Sequence, residues 1–380
     1  MTDNSVRLAI LGSTGALGET VLSVVRSFPD KLNVVGLGAG TNVDLLAQQI
    51  QEFEPFMAHI GKGRWQDSNI DLKDFRFVTD QEMVNHQEVD TVVVASVGKV
   101  GLEPTLGALR SGKRVALGNQ ETMAMAGSLL TDVASKQGSE ILPLNAETSA
   151  IWQLLKGETS PISRLILTSS YGPARPREAG QVPSMTPEEI AVHVGRRMGR
   201  KRSIDATTLM SKAVQVLEAH YLFNIPLDAI TVVYHPENII RAIVEFEDGS
   251  SKAHFAPSDP RLAVQTVLLF PERLENELVL RLSLTTAGQL TLRPLDESDF
   301  PLFGLAIAAA RAGNTYPAVI SAANESAVDL FLSQSIGFTD IAPLVERTLA
   351  AHQATSHPVL EDIMDADQWA REFVSRQVAY

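Results

Sequence analysis

An α/β chain is predicted, with a Rossmann-like dinucleotide-binding domain first, an α+β catalytic domain with an antiparallel sheet second, and a helical bundle at the C-terminus. Three observations predict it. The apolar run Leu8–Leu11 stops at Gly12, and after Ser13-Thr14-Gly15 a helix pattern opens at Ala16 with Gly18 on its first turn. Short apolar runs bounded by turn residues then alternate with helix patterns as far as Leu144. From Pro301 onward the stretches GLAIAAARAG, SAANESAVDLFLSQ, FTDIAPLVERTLAAH and VLEDIMDADQWAREFVSRQ carry apolar residues at bundle spacing.

The first strand, turn and helix carry the chemistry. Such a turn leaves backbone N–H groups unpaired at a helix N-terminus, where the dipole also favours negative charge, so a pyrophosphate can rest there. Glycines are needed because a Cβ would hold the phosphates away. The spacing Gly12, Gly15, Gly18 is a variant of the dinucleotide fingerprint, and it is favoured over a P-loop because no Lys-Ser or Lys-Thr follows. The cofactor set read from this turn is Gly12, Ser13, Thr14, Gly15, Ala16, Leu17 and Gly18.

Asn33–Gly38 reads as the second strand, closing on Gly40-Thr41-Asn42 before the helix Val43–Phe53. An acid at this strand end holds the ribose of NAD and a base the 2′-phosphate of NADP. Thr41 and Asn42 are neither, so NADH and NADPH both stay open. Asp90–Val97 is a buried strand, followed by helix Leu102–Leu109 and strand Arg114–Leu117. Asn119-Gln120-Glu121 caps the helix Thr122–Lys136, and strand Glu140–Leu144 ends on Asn145-Ala146-Glu147-Thr148. Both polar corners fall at carboxyl ends of strands, where open α/β sheets collect ligands. Strand Arg164–Thr168 then runs into Ser169-Ser170 and a loop reaching Pro187. Helix Pro187–Val194, a basic run of Arg196, Arg197, Arg200, Lys201 and Arg202, and the helix pattern Thr207–Leu222 follow. Ile230–Tyr234, Ile239–Phe246 and Ser251–Phe255 read as an antiparallel meander. The domain boundaries are 1–148 for dinucleotide binding, 149–276 for catalysis and dimerisation, 277–300 for a connector and 301–380 for the helical domain.

With 32 basic against 45 acidic residues the chain carries −13. That argues against nucleic acid or an anionic membrane as partner, and means that an anionic ligand must meet a local basic site. The absence of cysteine excludes disulfides and thiolate zinc sites. No apolar run approaches the ~18 residues of a membrane span, and the start has no basic n-region, so a soluble cytoplasmic protein is expected.

Six segments in order, LGSTGALG at Leu11–Gly18, GLEPTL at Gly101–Leu106, LTSSYGPAR at Leu167–Arg175, MGRKRSIDATTLMSK at Met198–Lys212, HPENIIRAIVEFEDGS at His235–Ser250 and SAANESAVDLFL at Ser321–Leu332, resemble 1-deoxy-D-xylulose 5-phosphate reductoisomerases. The resemblance implies a homodimer that uses NADPH and a divalent metal, and it adds Gly40, Thr41, Asn42, Asn119 and Glu121 to the cofactor set. It also implies departures. The family's metal-binding Asp and Glu fall on Asn145 and Glu147, with Ala146 and Thr148 as neighbours, and the third ligand falls on Gln215. The lysine of the family's Asn-Lys-Glu corner is Gln120. On the substrate side Ser170, His193 and Lys212 are retained, Ala206 and Ser211 replace a Ser and an Asn, and Arg196 stands where the family has an aromatic lid.

Magnesium and manganese favour carboxylate oxygens over neutral amides. A divalent metal is therefore not expected; if one binds, Glu147 with Asn145 and Gln215 would hold it. Hydride transfer asks only for a positioned cofactor, a donor to the carbonyl oxygen and a proton source. The leading expectation is a metal-independent NAD(P)-dependent oxidoreductase acting on a small anionic polyol or carbonyl compound other than 1-deoxyxylulose 5-phosphate. Catalysis would fall to Lys212, Glu147, Gln215, Asn145 and Gln120, and substrate binding to Ser170, His193, Arg196, Ser211, Lys212 and Ala146. Two alternatives stand beside it: an authentic reductoisomerase of isoprenoid biosynthesis, and a catalytically silent NAD(P)-binding protein. Plainer roles exist for single residues. Glu147 could cap a helix, the basic run could be a solvated loop, and His193 and His235 could sit structurally at element ends.

Overall fold

The computed structural model describes residues 5–62, 75–170, 186–194 and 200–378. They form two compact units, one of residues 1–122, 130–156 and 256–282, the other of 123–129, 157–255 and 283–380. The elements of the first are β1 (Val6–Leu11), α1 (Ala16–Ser27), β2 (Leu32–Ala39), α2 (Val43–Phe53), β3 (Met57–Ile60), β4 (Arg76–Phe77), α3 (Asp80–Asn85), β5 (Thr91–Val94), α4 (Leu102–Arg110), β6 (Arg114–Leu117), the start and end of α5 (Gln120–Gln137), β7 (Ile141–Pro143) and α6 (Ala146–Leu155). The second contains β8 (Ile162–Ser169), α7 (Pro187–Val194), α8 (Arg200–Thr207), α9 (Met210–Phe223), β9 (Ile230–Tyr234), β10 (Ile240–Phe246) and β11 (Ser251–Phe255). The chain then returns to the first unit for α10 (Pro260–Leu269), which packs on α1 and α6. It ends in the second with β12 (Arg293–Pro294), α11 (Pro301–Ala312), α12 (Tyr316–Leu332), α13 (Ile341–Ala351) and α14 (Leu360–Val378).

The seven-stranded sheet runs β4-β3-β2-β1-β5-β6-β7 with every pair parallel. Strands covered on both faces must be apolar throughout, and Leu8, Ala9, Ile10, Val92, Val93 and Val94 are all fully buried. Chain order reverses across β1, so a crevice opens at the carboxyl ends of β1 and β5. This is the Rossmann-like sheet that the sequence predicts, and the helices α11–α14 supply the helical C-terminal region.

Two local expectations are corrected. The second sheet runs β11-β10-β8-β9-β12, so β9 and β10 are not hairpin neighbours. β8 lies between them, parallel to β9 from Leu165↔Ile230 to Ser169↔Tyr234 and antiparallel to β10. A parallel neighbour needs a long crossover, and α7, α8 and α9 provide it. Only β10 and β11 form the expected hairpin, turning at Gly249 with φ +84°. The continuous helix expected over Thr207–Leu222 is two helices. Leu209 takes φ +57°, so α8 ends at Thr207 and α9 restarts at Met210, with the Leu209 carbonyl accepting from Lys212 and Ala213 N–H at 3.0 Å each. Burial of Leu209 to 2 % exposure holds a conformation that an isolated leucine avoids.

His59 ends β3 with both ring nitrogens against acceptors. Nδ1–H donates to the Val78 carbonyl at 3.0 Å and Nε2–H reaches Asp80 Oδ1 at 3.0 Å. Only the doubly protonated ring serves both. The bond to Asp80 outweighs burial and holds His59 above the ordinary histidine pKa. A group whose pKa is raised on folding stabilises in full below its unfolded pKa and loses that contribution as pH rises through the folded one. The gap in melting temperature between the native chain and His59→Gln is therefore expected to be widest below about pH 6 and to close toward about pH 9. A gap that does not change with pH would contradict the pairing.

Candidate active site

In the first unit the predicted cofactor residues gather at the carboxyl ends of the strands. Gly12 adopts φ +83°, and a Cβ there would lie 2.6 Å from Ser96 N. A Cβ on Gly18 would lie 2.3 Å from the Gly12 carbonyl oxygen, so α1 starts directly beneath the end of β1 only because both positions lack one. Gly15 is the N-cap and gives no side-chain cap. The first-turn N–H groups of Ala16, Leu17 and Gly18 are thus left to an anion. Ser13 points away from this opening: its Oγ donates to Gln49 Oε1 at 2.7 Å, and Gln49 Nε2 returns a bond to the Ser13 carbonyl at 3.1 Å. Ser13 pins the turn to α2. Thr14 lies between the glycines in the same turn.

Gly40, Thr41 and Asn42 follow β2. Asn42 Oδ1 accepts from Leu45 N–H at 3.1 Å and so caps α2. Asn119 follows β6, is 1 % exposed, and spends both ends of its amide. Its Oδ1 accepts from Thr122 N–H at 3.0 Å, capping α5, and its Nδ2 donates to the Gly98 carbonyl at 2.8 Å. Gln120 and Glu121 open α5. Asn145 is the N-cap of α6, with Ala146 and Glu147 in its first turn, where the helix dipole favours the Glu147 carboxylate.

Sequence reasoning missed Ser96. Its Oγ, together with Thr122 Oγ1, is buried with no hydrogen-bond partner among the described residues. Both atoms line the gap beside Gly101, where an added Cβ would come within 3.0 Å of each. Buried hydroxyls without partners are costly, and this pair packs where Gly101 lacks a side chain. The only sequence signal was a serine closing the apolar run DTVVVA, too weak to single out.

In the second unit Ser170 follows β8, while Ala206 ends α8 and Ser211, Lys212 and Gln215 stand on α9. Lys212 is 6 % exposed, and its Nζ donates to Gln215 Oε1 at 2.7 Å. His193 falls on α7 with its side chain outside the described residues, and Arg196 lies outside them altogether. Part of the basic run proves structural. Arg200 pairs with Glu188 at 2.9 Å, and Lys201 with Glu325 at 3.3 Å. Burial alone would raise the Glu325 carboxyl, but Lys201 and Arg371 outweigh it and hold it below the usual range. Asn324 Nδ2 donates to Asp205 Oδ1 at 2.9 Å, so α8 is tied to α12 twice.

His235 is structural as well. It is fully buried; Nδ1–H donates to the Thr291 carbonyl at 2.8 Å, and Nε2 accepts from Ile239 and Ile240 N–H at 3.2 and 3.1 Å. One ring thus closes the turn before β10 and holds the segment that leads to β12.

The donors Asn145, Glu147 and Gln215 offer one carboxylate, and Gln215 Oε1 already accepts from Lys212. No cluster of three His, Cys, Asp or Glu side chains suited to a metal occurs among the described residues. Amide oxygens such as those of Asn145 and Gln215 are weaker donors to a hard divalent cation than the Glu147 carboxylate. The glycine turn, by contrast, fits a dinucleotide. No described helix is long and apolar enough to cross a membrane.

Three family models match the chain: 1-deoxy-D-xylulose 5-phosphate reductoisomerase over residues 8–127, its C-terminal domain over 141–223, and the DXP reductoisomerase C-terminal domain over 255–373. The reductoisomerase of Thermomicrobium roseum is 40% identical over 98% of this chain and 99% of its own, and that of Pelodictyon phaeoclathratiforme is 42% identical over the same shares. The Zymomonas mobilis reductoisomerase solved with NADPH superposes with a TM-score of 0.89 at 31% identity, covering 98% of this chain and 99% of its own. A DOX-P reductoisomerase solved with NADPH, fosmidomycin and magnesium gives 0.87 at 31% identity over 98% of both. These similarities overturn the expectation of a metal-independent oxidoreductase with a different substrate and favour the authentic reductoisomerase instead. They lend no support to the expectation that a divalent metal is absent, since a protein so similar binds magnesium.

Removing the His235 ring should be felt by the fold whatever the chemistry. His235→Ala leaves two amide N–H groups and the Thr291 carbonyl without their partner, and should cost about 2–4 kcal/mol in urea denaturation. A loss under about 0.5 kcal/mol would mean that water replaces the ring.

Proposed function

The chain belongs to the 1-deoxy-D-xylulose 5-phosphate reductoisomerase family, and from that membership we propose that it rearranges and reduces 1-deoxy-D-xylulose 5-phosphate with NADPH. The observation that carries the reading is identity of 40–42% sustained over 96–98% of the chain. Residues 1–148 act as the dinucleotide domain, 149–276 as the catalytic and dimerising domain, and 301–380 as the helical domain beyond a connector at 277–300.

Bound NADPH supplies the hydride. The N–H groups of Ala16, Leu17 and Gly18 would hold its phosphates, with Gly12, Ser13, Thr14 and Gly15 shaping the turn. Gly40, Thr41 and Asn42 would hold its adenosine side, and Asn119 and Glu121 would border it after β6. Ser170, His193, Arg196, Ser211 and Ala146 take the substrate. Lys212, nearly buried and bonded to Gln215 Oε1, brings an ammonium to the anionic end of the substrate. Glu147 is the one carboxylate of its corner able to hold or release a proton, while Asn145, Gln120 and Gln215 act as hydrogen-bond donors and acceptors to substrate oxygens. The chain is thus a family member with altered polar corners, and it works as a homodimer.

Two experiments test this. NADPH oxidation should depend on added 1-deoxy-D-xylulose 5-phosphate, with Mg²⁺, Mn²⁺ and chelator each tried, and Lys212→Ala should lower kcat/KM at least about 100-fold. Absence of substrate-dependent oxidation under every condition would overturn the reading. The altered corners have their own test. Asn145→Asp combined with Gln215→Glu should tighten Mg²⁺ binding, read by calorimetry, at least about tenfold, because carboxylates replace amides as donors. Unchanged affinity would show that these positions do not face a cation.

A further inference from the structure

We infer that Lys62 provides the cationic contact by which this chain selects NADPH over NADH. The inference rests on the dinucleotide reading above and assigns its specificity. A 2′-phosphate on the adenosine ribose must meet positive charge near the end of β2, and that strand end offers none. Thr41 and Asn42 are uncharged, and Asn42 Oδ1 is held by Leu45 N–H at 3.1 Å. Nor does the chain's overall charge of −13 supply a general attraction for an anion.

The neighbouring strand carries the charge instead. β3 is parallel to β2 from Gly36↔Met57 to Ala39↔Ile60, and the pairing continues beyond both strand ends. Gly61 N–H donates to the Ala39 carbonyl at 2.9 Å, and Lys62 N–H donates to the Gly40 carbonyl at 2.8 Å. Lys62 is therefore the backbone neighbour of the residue just before Thr41. The two chains run close, since a Cβ on Gly61 would lie 3.6 Å from the Gly40 carbonyl oxygen. An extended lysine reaches about 6 Å from its Cα, enough to cover the turn from the adjacent strand. Lys62 is exposed and has no ion pair among the described residues. The nearby acid, Asp44, lies in the first turn of α2, whose dipole works in favour of an anion there. A phosphate takes lysine as a mobile point charge without demanding fixed geometry, which suits a side chain reaching in from a neighbouring strand.

The test is binding by the intact chain, read by fluorescence titration with NADPH and NADH and by calorimetry with 2′,5′-ADP and 5′-ADP. The native chain should prefer NADPH and 2′,5′-ADP. Lys62→Ala should weaken both of these about tenfold or more while leaving NADH and 5′-ADP within about twofold. Thr41→Lys added to Lys62→Ala should restore the preference, because it returns the charge to the β2 end. A native preference that survives Lys62→Ala overturns the inference and leaves the cofactor reading intact. A native chain that binds NADH as well as NADPH overturns the inference together with the choice of NADPH.

Discussion

Gly12 and Gly18 meet backbone to backbone, and the first unit is organised around that contact. A helix can begin directly under the end of a strand only if nothing separates their main chains, and a Cβ on Gly18 would stand 2.3 Å from the Gly12 oxygen. Because the gap is closed, the first-turn N–H groups of α1 face outward at the carboxyl end of β1. Because every strand in the sheet is parallel, the turns after β2, β5, β6 and β7 open on the same side. The glycine contact sets the first turn, and the parallel order of the strands sets Asn42, Ser96, Asn119 and Asn145 on the same side.

That condition was legible in the sequence, and so was most of the fold. Strands buried on both faces are apolar along their whole length, so β1, β5 and β6 announce themselves; α2, α7 and β11 keep their expected bounds of Val43–Phe53, Pro187–Val194 and Ser251–Phe255. What failed to show was anything decided by distant packing. No local signal says that β8 inserts between β9 and β10, because strand order depends on where a crossover lands. Nor does Thr-Thr-Leu announce a helix break, since the left-handed turn at Leu209 is imposed by burial of its side chain rather than by a glycine.

Side-chain roles were less legible than the backbone. A histidine reads the same whether it closes a turn or handles a proton; the two N–H donors and the carbonyl around His235 mark it as structural, with the Glu237 carboxylate 3.0 Å from the same Nδ1. Lys201 looked like part of a basic run that would meet an anionic ligand, yet it pairs with Glu325 on α12. The expectation of another substrate failed for a related reason. It weighed Asn145, Gln215 and Gln120 as if chemistry at three positions outranked the rest of the chain, whereas similarity to reductoisomerases runs over 98% of the sequence at 40% identity.

The Lys212–Gln215 pair shows how a changed residue can leave a site's electrostatics serviceable. At a spacing of i, i+3 the two side chains share one face of α9, and the ammonium needs an acceptor because it is nearly buried. A carboxylate at 215 would accept that bond and cancel the charge. The amide accepts it without adding a negative charge of its own. In a chain of net charge −13 that difference matters, since the pull on an anionic ligand must be generated locally. An amide at 215 is a weaker donor to a hard cation than a carboxylate and a weaker partner for an ammonium, so the residue at this position bears on both kinds of charge.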